Sequence, residues 1–235
     1  MITSSTHVRW FSVAAIIAIV ANMIVFSPAP ATAAPTALPF IGGFDSARGG
    51  SASFQFGIYY EQARDAIKLH YPELRLTAFG DVTTTALVDV DIIYLDASRN
   101  NAQAITPLSA SEQTQLVEWV KAGGCLILAV DNDTYDPEHA ASANASLLTP
   151  FGMVAQGAIS AKVMAKVPDA ALSPVTDGLY AIVSEITQNY PGALSSVGPN
   201  GLSLASNAKG AALAVIPTGA ITTTSGPVIV VSDTN

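Results

Sequence analysis

The chain has 235 residues, of which 50% are hydrophobic and only 12% charged, with a formal net charge of −8. This composition argues against a disordered acidic tail, which would be rich in charge and poor in apolar residues. The acidic balance argues against a nucleic-acid-binding protein, which needs a basic surface to neutralise phosphate. A single cysteine excludes a disulfide framework and a multi-cysteine metal site, and the length suits one domain with a sizeable core.

The first 33 residues have the organisation of a secretory signal peptide. Arg9 precedes the apolar run Phe11–Phe26, and a proline-rich break then leads to the cleavage sequence Ala31-Thr32-Ala33. The apolar run is short for a membrane span. We therefore expect cleavage after Ala33, an exported protein and no membrane span in the mature chain, residues 34–235. The alternative is an uncleaved signal anchor.

The mature chain begins with apolar runs that predict strands, separated by a segment with helical periodicity. Apolar residues spaced at 3.6-residue intervals predict an amphipathic helix between the first and second strands. In chain order these elements cover residues 38–44 (strand), 54–70 (helix), 74–79 (strand) and 88–95 (strand).

The best defined element of the sequence is a helix that begins after Ser109. Ser109 and Glu112 have the spacing of a capping box, and Gly123-Gly124 supplies the residue with left-handed backbone that ends a helix. The apolar strand Cys125–Val130 follows at once. Continuous apolar strands between amphipathic helices predict an α/β fold with a doubly wound, mostly parallel sheet covered on both faces.

The second half of the chain has a less regular pattern. It predicts a short helix, one or two strands, a turn and two late strands, over residues 141–148, 157–167, 173–178, 211–216 and 227–231. The chain ends directly after the last of these strands, where a doubly wound sheet normally continues into a covering helix. We therefore expect the single domain, residues 34–235, to be truncated at its C-terminus and Val228–Val231 to be unusually exposed.

Aspartate follows four of the apolar runs, at Asp45, Asp96, Asp131 and Asp233. If these strands are parallel, all four carboxylates project from the carboxyl edge of the sheet, which is where open α/β sheets bind ligands. The alternative is that each aspartate caps the next helix or turns the chain.

The loop after Asp131 is rich in polar side chains, namely Asn132, Asp133, Asp136, Glu138 and His139. Such oxygen-rich groups suit a divalent cation, but their spacing does not match a calcium-binding loop, so the sequence assigns no metal ligand and no cofactor. His139 is the candidate general base, with Asp131 as the other catalytic candidate. Cys125 enters a strand rather than leaving one, which indicates a packed cysteine and not a nucleophile.

Three segments together resemble the class I glutamine amidotransferase-like superfamily, and within it the degenerate secreted members. They are Ile41–Gly49, Asp91–Val130, and Ser173–Gly178 together with Gly226–Asn235. The resemblance implies a flavodoxin-like parallel sheet with helices on both faces.

The amidotransferase chemistry does not follow from this resemblance. Active members of the superfamily place a cysteine on the turn after a central strand, with a His-x-Glu pair downstream. The corresponding turn here is Asp131-Asn132-Asp133, no histidine follows His139, and Arg48 stands where related proteins carry a histidine. We therefore expect no glutamine amidotransferase activity.

Three hypotheses for function follow from the sequence. The first is an exported, non-catalytic module that binds a small ligand, a glycan or a protein at the carboxyl edge. The second is a hydrolase, with or without a metal, that uses the acidic strand ends with His139. The third is a structural or assembly protein. The residues expected to line the ligand-binding edge are Asp45, Arg48, Asp96, Asp131, Asn132, Asp133 and Asp233.

Overall fold

The structure, a computed structural model, describes residues 40–45, 48, 69, 75–99, 103–159, 162–166 and 184–233. The expected signal peptide, nearly all of the helix expected over 54–70 and the turn expected over 173–178 lie outside the described residues. Among the described helices, none is long and apolar enough to cross a membrane.

The described part of the chain contains two α-helices and a large sheet. The helices are α1 (Ala110–Lys121) and α2 (Ala140–Leu148), and a short 3-10 helix, Thr149–Phe151, follows α2. The strands, in chain order, are β1 (Phe40–Phe44), β2 (Arg75–Phe79), β3 (Ile92–Asp96), β4 (Ser98–Arg99), β5 (Gln103–Ala104), β6 (Cys125–Ala129), β7 (Val154–Ala155), β8 (Lys162–Lys166), β9 (Glu185–Asn189), β10 (Leu194–Ser196), β11 (Leu202–Asn207), β12 (Gly210–Ile216) and β13 (Val228–Val231).

Half of the sheet is parallel and has the predicted α/β organisation. Its strands lie in the order β2-β1-β3-β6-β13, and each pair of neighbours is parallel. Numbered along the chain, this is the order 2-1-3-4-5 of flavodoxin-like sheets. The expectation of a flavodoxin-like arrangement is therefore confirmed for this half.

The other half of the sheet corrects the prediction of a mostly parallel sheet. From β13 onwards the order continues β12-β11-β8-β9, and every one of these pairs is antiparallel. Strands β11 and β12 are joined by a tight turn, a connection that antiparallel neighbours accept and parallel ones do not. The sheet is therefore mixed.

The start and end of α1 follow the predicted signals. The Ser109 side chain accepts a hydrogen bond from the Glu112 backbone, and the Glu112 side chain accepts one from the Ser109 backbone, which completes the capping box. Gly123, with φ 114°, then reverses the chain into β6.

The two faces of the sheet pack against different partners. On one face, Leu128 and Val230 belong to a large buried cluster that includes Leu116 of α1 and Leu147 of α2. The opposite face has a smaller cluster, in which Ile229 and Val231 of β13 pack with residues of the antiparallel half, Ala165, Ile186, Leu204, Ala205, Ala212, Leu213 and Val215.

The expectation that Val228–Val231 is exposed is wrong. No residue of this strand is more than 4% exposed. Strand β13 lies inside the sheet, between β6 and β12, and the smaller cluster covers the face that α1 and α2 do not cover. The antiparallel half therefore provides the cover that a final helix would have provided.

Buried polar side chains hold the antiparallel half in this position. The Gln188 side-chain amide donates to Ser232 Oγ (3.2 Å), and the Asn189 backbone N–H donates to Asp233 Oδ2 (2.8 Å). The Asn207 amide donates to Gln188 Oε1 (3.0 Å). These contacts bring the end of β9 to the end of β13, although the two strands are not neighbours in the sheet.

This arrangement predicts that Ile186 is a core residue. Truncation by Ile186→Ala removes buried contacts on β9, and we expect the free energy of unfolding to fall by about 2–4 kcal/mol. The measurement is urea denaturation, with Met164→Ala on the exposed side of β8 as the control. Equal, small effects of both substitutions would show that β9 does not pack on β13.

Candidate functional site

The four strand-end aspartates lie at the carboxyl edge of the parallel half, as the sequence predicted. Asp96 ends β3 and pairs with Ala129, two residues before Asp131. Ala129 of β6 pairs with Val231 of β13. Asp131 follows Ala129 by two residues, and Asp233 follows Val231 by two residues. Because side chains alternate along a strand, Asp96, Asp131 and Asp233 leave the same face of the sheet.

Arg48 is placed at this edge but is used in a buried ion pair. Its side chain is 6% exposed, and its guanidinium donates to Glu112 Oε1 (2.6 Å) and Oε2 (3.1 Å). The same group donates to the carbonyl oxygens of Thr106 (3.0 Å) and Pro107 (3.1 Å). Arg48 therefore joins the segment after β1 to the segment that leads into α1.

Asp45 belongs to this local structure. Its Oδ1 accepts a hydrogen bond from the Arg48 backbone N–H (3.1 Å), and its own backbone N–H donates to Phe79 O (3.0 Å). Asp45 thus holds the backbone of Arg48 next to the end of β1, a structural role of the kind expected from the sequence as the alternative to ligand binding.

Glu112 is the acceptor on which these segments converge. Burial opposes its ionisation, but hydrogen bonds from Arg48, Ser109 and the Val82 backbone outweigh burial and lower its pKa to about 2. The carboxylate is therefore ionised at every ordinary pH, and the ion pair with Arg48 is maintained.

Asp96 has the opposite electrostatic environment. The residue is 5% exposed, and its Oδ1 accepts hydrogen bonds from the Ser98 backbone (2.8 Å) and hydroxyl (2.9 Å). Burial raises its pKa to about 7; the bonds from Ser98 oppose this rise, and the nearby charge of Asp131 adds to it. Asp96 is therefore a carboxylic acid that titrates near neutral pH.

Asp131 and Asn132 form the turn that follows β6. Asp131 is 4% exposed, and its Oδ1 accepts from the Asn132 backbone (2.6 Å) and side-chain amide (3.0 Å). The Asn132 amide also donates to Tyr190 O (2.7 Å). The turn is therefore fixed to the loop after β9.

Asp133 points into the protein. Its Oδ1 accepts from the buried Asn144 side chain (3.2 Å), and its Oδ2 accepts from the Gly157 backbone (3.0 Å). These bonds tie the turn after β6 to α2 and to the segment after β7.

The loop of residues 131–139, which we call the acidic loop, also contacts the hairpin formed by β4 and β5 and the residue that precedes it. The Tyr135 hydroxyl donates to Ala97 O (2.8 Å), and the Ala104 backbone N–H donates to Asp136 Oδ2 (2.9 Å). The exposed His139 ring pairs with Asp136 Oδ1 (3.1 Å). His139 thus lies at the rim of the edge.

Tyr190 is a residue of this edge that sequence reasoning missed. It is 54% exposed, it has the left-handed φ of 58°, and its carbonyl is held by Asn132. Nearby, a side chain on Gly192 would place its first carbon only 3.0 Å from Asp131 O, so glycine permits this close approach. The Pro191-Gly192 step is a turn signal that the sequence analysis left unused, and it says nothing of the neighbours of Tyr190 in the fold.

The remaining candidates lie apart from these residues. Cys125 begins β6 and is therefore at the opposite, amino edge of the sheet; burial raises the pKa of its thiol to about 12. The described residues contain no group of three or more His, Cys, Asp or Glu side chains arranged to hold a metal ion.

The fold defines an α/β protein with a flavodoxin-like parallel half. No protein-family model and no curated protein matches the chain. Among solved structures it is similar to the mmIFT52 N-terminal domain, at 12% identity and a TM-score of 0.55, over 84% of this chain and 86% of that one. At this identity the similarity shows the fold alone.

Two further solved structures are similar at lower scores. One is described as a GMP synthase component from Thermoplasma acidophilum, at 13% identity and a TM-score of 0.49, over 83% of each chain. The other is a ThuA-like protein from Bacteroides uniformis, at 17% identity and a TM-score of 0.42, over 76% of this chain and 70% of that one.

The low pKa of Glu112 predicts that the free energy of unfolding falls as the solution becomes acidic. Its pKa is depressed from 4.5 to about 2, so its contribution is complete above pH 4.5 and is lost as the pH falls through 2. We expect Glu112→Gln to lower the free energy of unfolding at neutral pH by about 3 kcal/mol, a difference that shrinks below pH 4.5.

Urea denaturation at several pH values measures this difference. Glu118→Gln, at an exposed position of the same helix, is the matched control and is expected to follow the unmodified protein. A deficit of Glu112→Gln that stays constant down to pH 2 would contradict the assignment.

Proposed function

We propose that the protein is an exported, non-catalytic amidotransferase-like module that binds a neutral oligosaccharide at the carboxyl edge of its parallel half. The leader sequence supports export, and the sequence segments quoted above together with the strand order support the amidotransferase-like fold. The carboxyl edge is the place where open α/β sheets bind ligands.

The observation that carries this proposal is Tyr190. It stands at the edge beside the Asp131-Asn132 turn, with its side chain half exposed and its backbone in a conformation that non-glycine residues seldom adopt. Asn132 holds that conformation from the turn itself. An exposed aromatic ring on a backbone that is held by neighbouring polar groups is typical of a ligand-binding surface.

The charge of the edge narrows the class of ligand. The chain has a net charge of −8, and Asp131, Asp133 and Asp233 all lie near this turn. Such a field disfavours nucleotides and other anions. A neutral, hydroxyl-rich ligand avoids the repulsion and offers both a face for the Tyr190 ring and hydrogen-bonding groups.

Tyr190→Ala tests the proposal. The probes are soluble oligomers of glucose, mannose and N-acetylglucosamine, and binding is measured by calorimetry and by saturation-transfer NMR. We expect one oligomer class to bind and Tyr190→Ala to weaken that binding about fivefold, since an aromatic contact is worth about 1 kcal/mol.

Leu202→Ala, which removes a similarly exposed apolar side chain from β11, is the matched control and leaves binding unchanged. If none of the oligomers binds, or if both substitutions act equally, the proposal fails.

A second candidate function, a hydrolase, is favoured by Asp96. A carboxyl group with a pKa near 7 beside a second carboxyl resembles a general acid with its partner. Hydrolysis would use Asp96 as the proton donor and Asp131 as the second carboxylate, with His139 at the rim.

Hydrolysis of the same oligomers, followed by chromatography, separates this candidate from binding alone. The hydrolase predicts cleavage that declines as the pH rises through about 7 and that is absent in Asp96→Asn. Binding of an oligomer that is recovered intact supports the non-catalytic module.

A further inference from the structure

We propose that the carboxyl groups of Asp96 and Asp131 together bind one proton, and that release of this proton loosens the β4–β5 hairpin and the acidic loop over the carboxyl edge. The edge would then be closed in mildly acidic solution and open more often near neutral pH. This proposal does not depend on the identity of any ligand.

The first support is the position of the two carboxyl groups. Asp96 ends β3, and Asp131 follows the end of the neighbouring parallel strand β6 by two residues on the same face of the sheet. Each residue is at least nine-tenths buried. Ionisation of both groups would place two negative charges together in a region with little water, which is costly. One proton held at the pair removes one of the charges.

The second support is the hydrogen bonding of Asp96. Both bonds from Ser98 go to Oδ1, and no described residue donates a hydrogen bond to Oδ2. A buried carboxylate oxygen without a donor is unfavourable. A protonated Oδ2 removes this cost, because it carries the hydrogen itself and becomes a donor.

Among the described residues, the other ionisable groups near the pair are themselves acidic or are paired elsewhere. The acidic loop contributes Asp133, Tyr135 and Asp136, and the charges of Asp133 and Asp136 act, with those of Asp96 and Asp131, on the Tyr135 hydroxyl. Burial and these carboxylates raise the pKa of Tyr135, so it stays neutral. His139 lies outside the group and pairs with Asp136. On the side of β1, Asp45 bonds to the Arg48 backbone.

The third support is the set of contacts that joins the hairpin to the acidic loop. Ser98, the first residue of the hairpin, is held by Asp96 Oδ1. The carbonyl of Ala97, adjacent to Asp96, accepts from Tyr135, and Ala104 of the hairpin donates to Asp136. The hairpin and the acidic loop are therefore joined to each other directly beside the pair. The Ser98 bonds favour an ionised Asp96, but burial outweighs them, so an ionised Asp96 gains stability when this junction opens to water.

The sign of the pH dependence of opening follows from the difference in proton binding between the closed and open states. In the closed state the pKa of Asp96 is about 7, against an ordinary value of 3.8, so the closed state holds a proton that the open state has lost. The equilibrium constant for opening therefore increases about tenfold per pH unit between about pH 4 and pH 7, and it levels off above that range.

The test uses the full chain without a ligand. Backbone amide exchange of Ser98 and Ala104 is measured between about pH 5 and pH 8 and corrected for the intrinsic exchange rate. We expect their protection to fall about tenfold per pH unit up to about pH 7 and then to stay constant. In Asp96→Asn, which needs no proton to be neutral, protection is expected to be independent of pH.

Asp89→Asn is the matched control, because this exposed aspartate has φ 62°, a conformation that asparagine adopts readily. Its exchange is expected to follow the unmodified protein. Carbon-13 NMR titration of the Asp96 carboxyl in the unmodified protein gives a second readout that holds even if Asp96→Asn does not fold. A midpoint near the ordinary value of 3.8 overturns the proposal.

Two other outcomes also overturn it. One is corrected protection that does not change with pH in the unmodified protein. The other is protection that calcium chloride restores near neutral pH only when Asp96 is present, since the pair would then bind a cation in place of the proton.

Discussion

The structure depends most on the buried ion pair between Arg48 and Glu112. A buried guanidinium is stable only when its charge is balanced, and removing one partner of such a pair commonly costs about 3–5 kcal/mol. Glu112 is also the partner of Ser109 in the capping box of α1. One carboxylate therefore both balances the charge of Arg48 and stabilises the first turn of the helix. Because α1 covers one face of the sheet, the same carboxylate links the segment after β1 to the larger core.

The position of Arg48 also bears on where a ligand can bind. In a sheet with the 2-1-3-4-5 order, the strand order reverses between β1 and β3, and ligands usually enter there. Here the Arg48 side chain joins the segments after β1 and β5 beside that point. The exposed part of the edge lies further along, where the Asp131-Asn132 turn meets Tyr190. The candidate site is therefore displaced towards the antiparallel half.

Local signals in the sequence predicted a large part of the fold. The capping box at Ser109 and the glycine stop at Gly123 involve residues near one another in the chain, so α1 was readable directly. The buried strands of the parallel half were readable because their apolar runs are continuous. Strands β9 and β11 were missed, because they carry polar side chains and are defined only by pairing with distant residues.

The candidate site was predictable in position but not in the state of its side chains. Four strand-end aspartates at one edge follow from parallel strands, and the structure confirms that placement. The partner of Arg48 stands 64 residues away, and Tyr190 reaches the edge only because the antiparallel half folds back over β13. Such contacts have no signature within a short window of sequence.

The aspartates show how environment divides one residue type into different roles. Asp45 accepts from the Arg48 backbone, and Asp233 accepts from the end of β9, so both hold backbone segments in place. Asp96 has hydrogen bonds from Ser98 at one oxygen only, too few to offset its burial, and it keeps its proton to near neutral pH. The acidic edge is therefore not a uniform field of charge. Its fixed anions orient the surrounding turns, and the one carboxyl that titrates near neutral pH lies where the hairpin and the acidic loop meet.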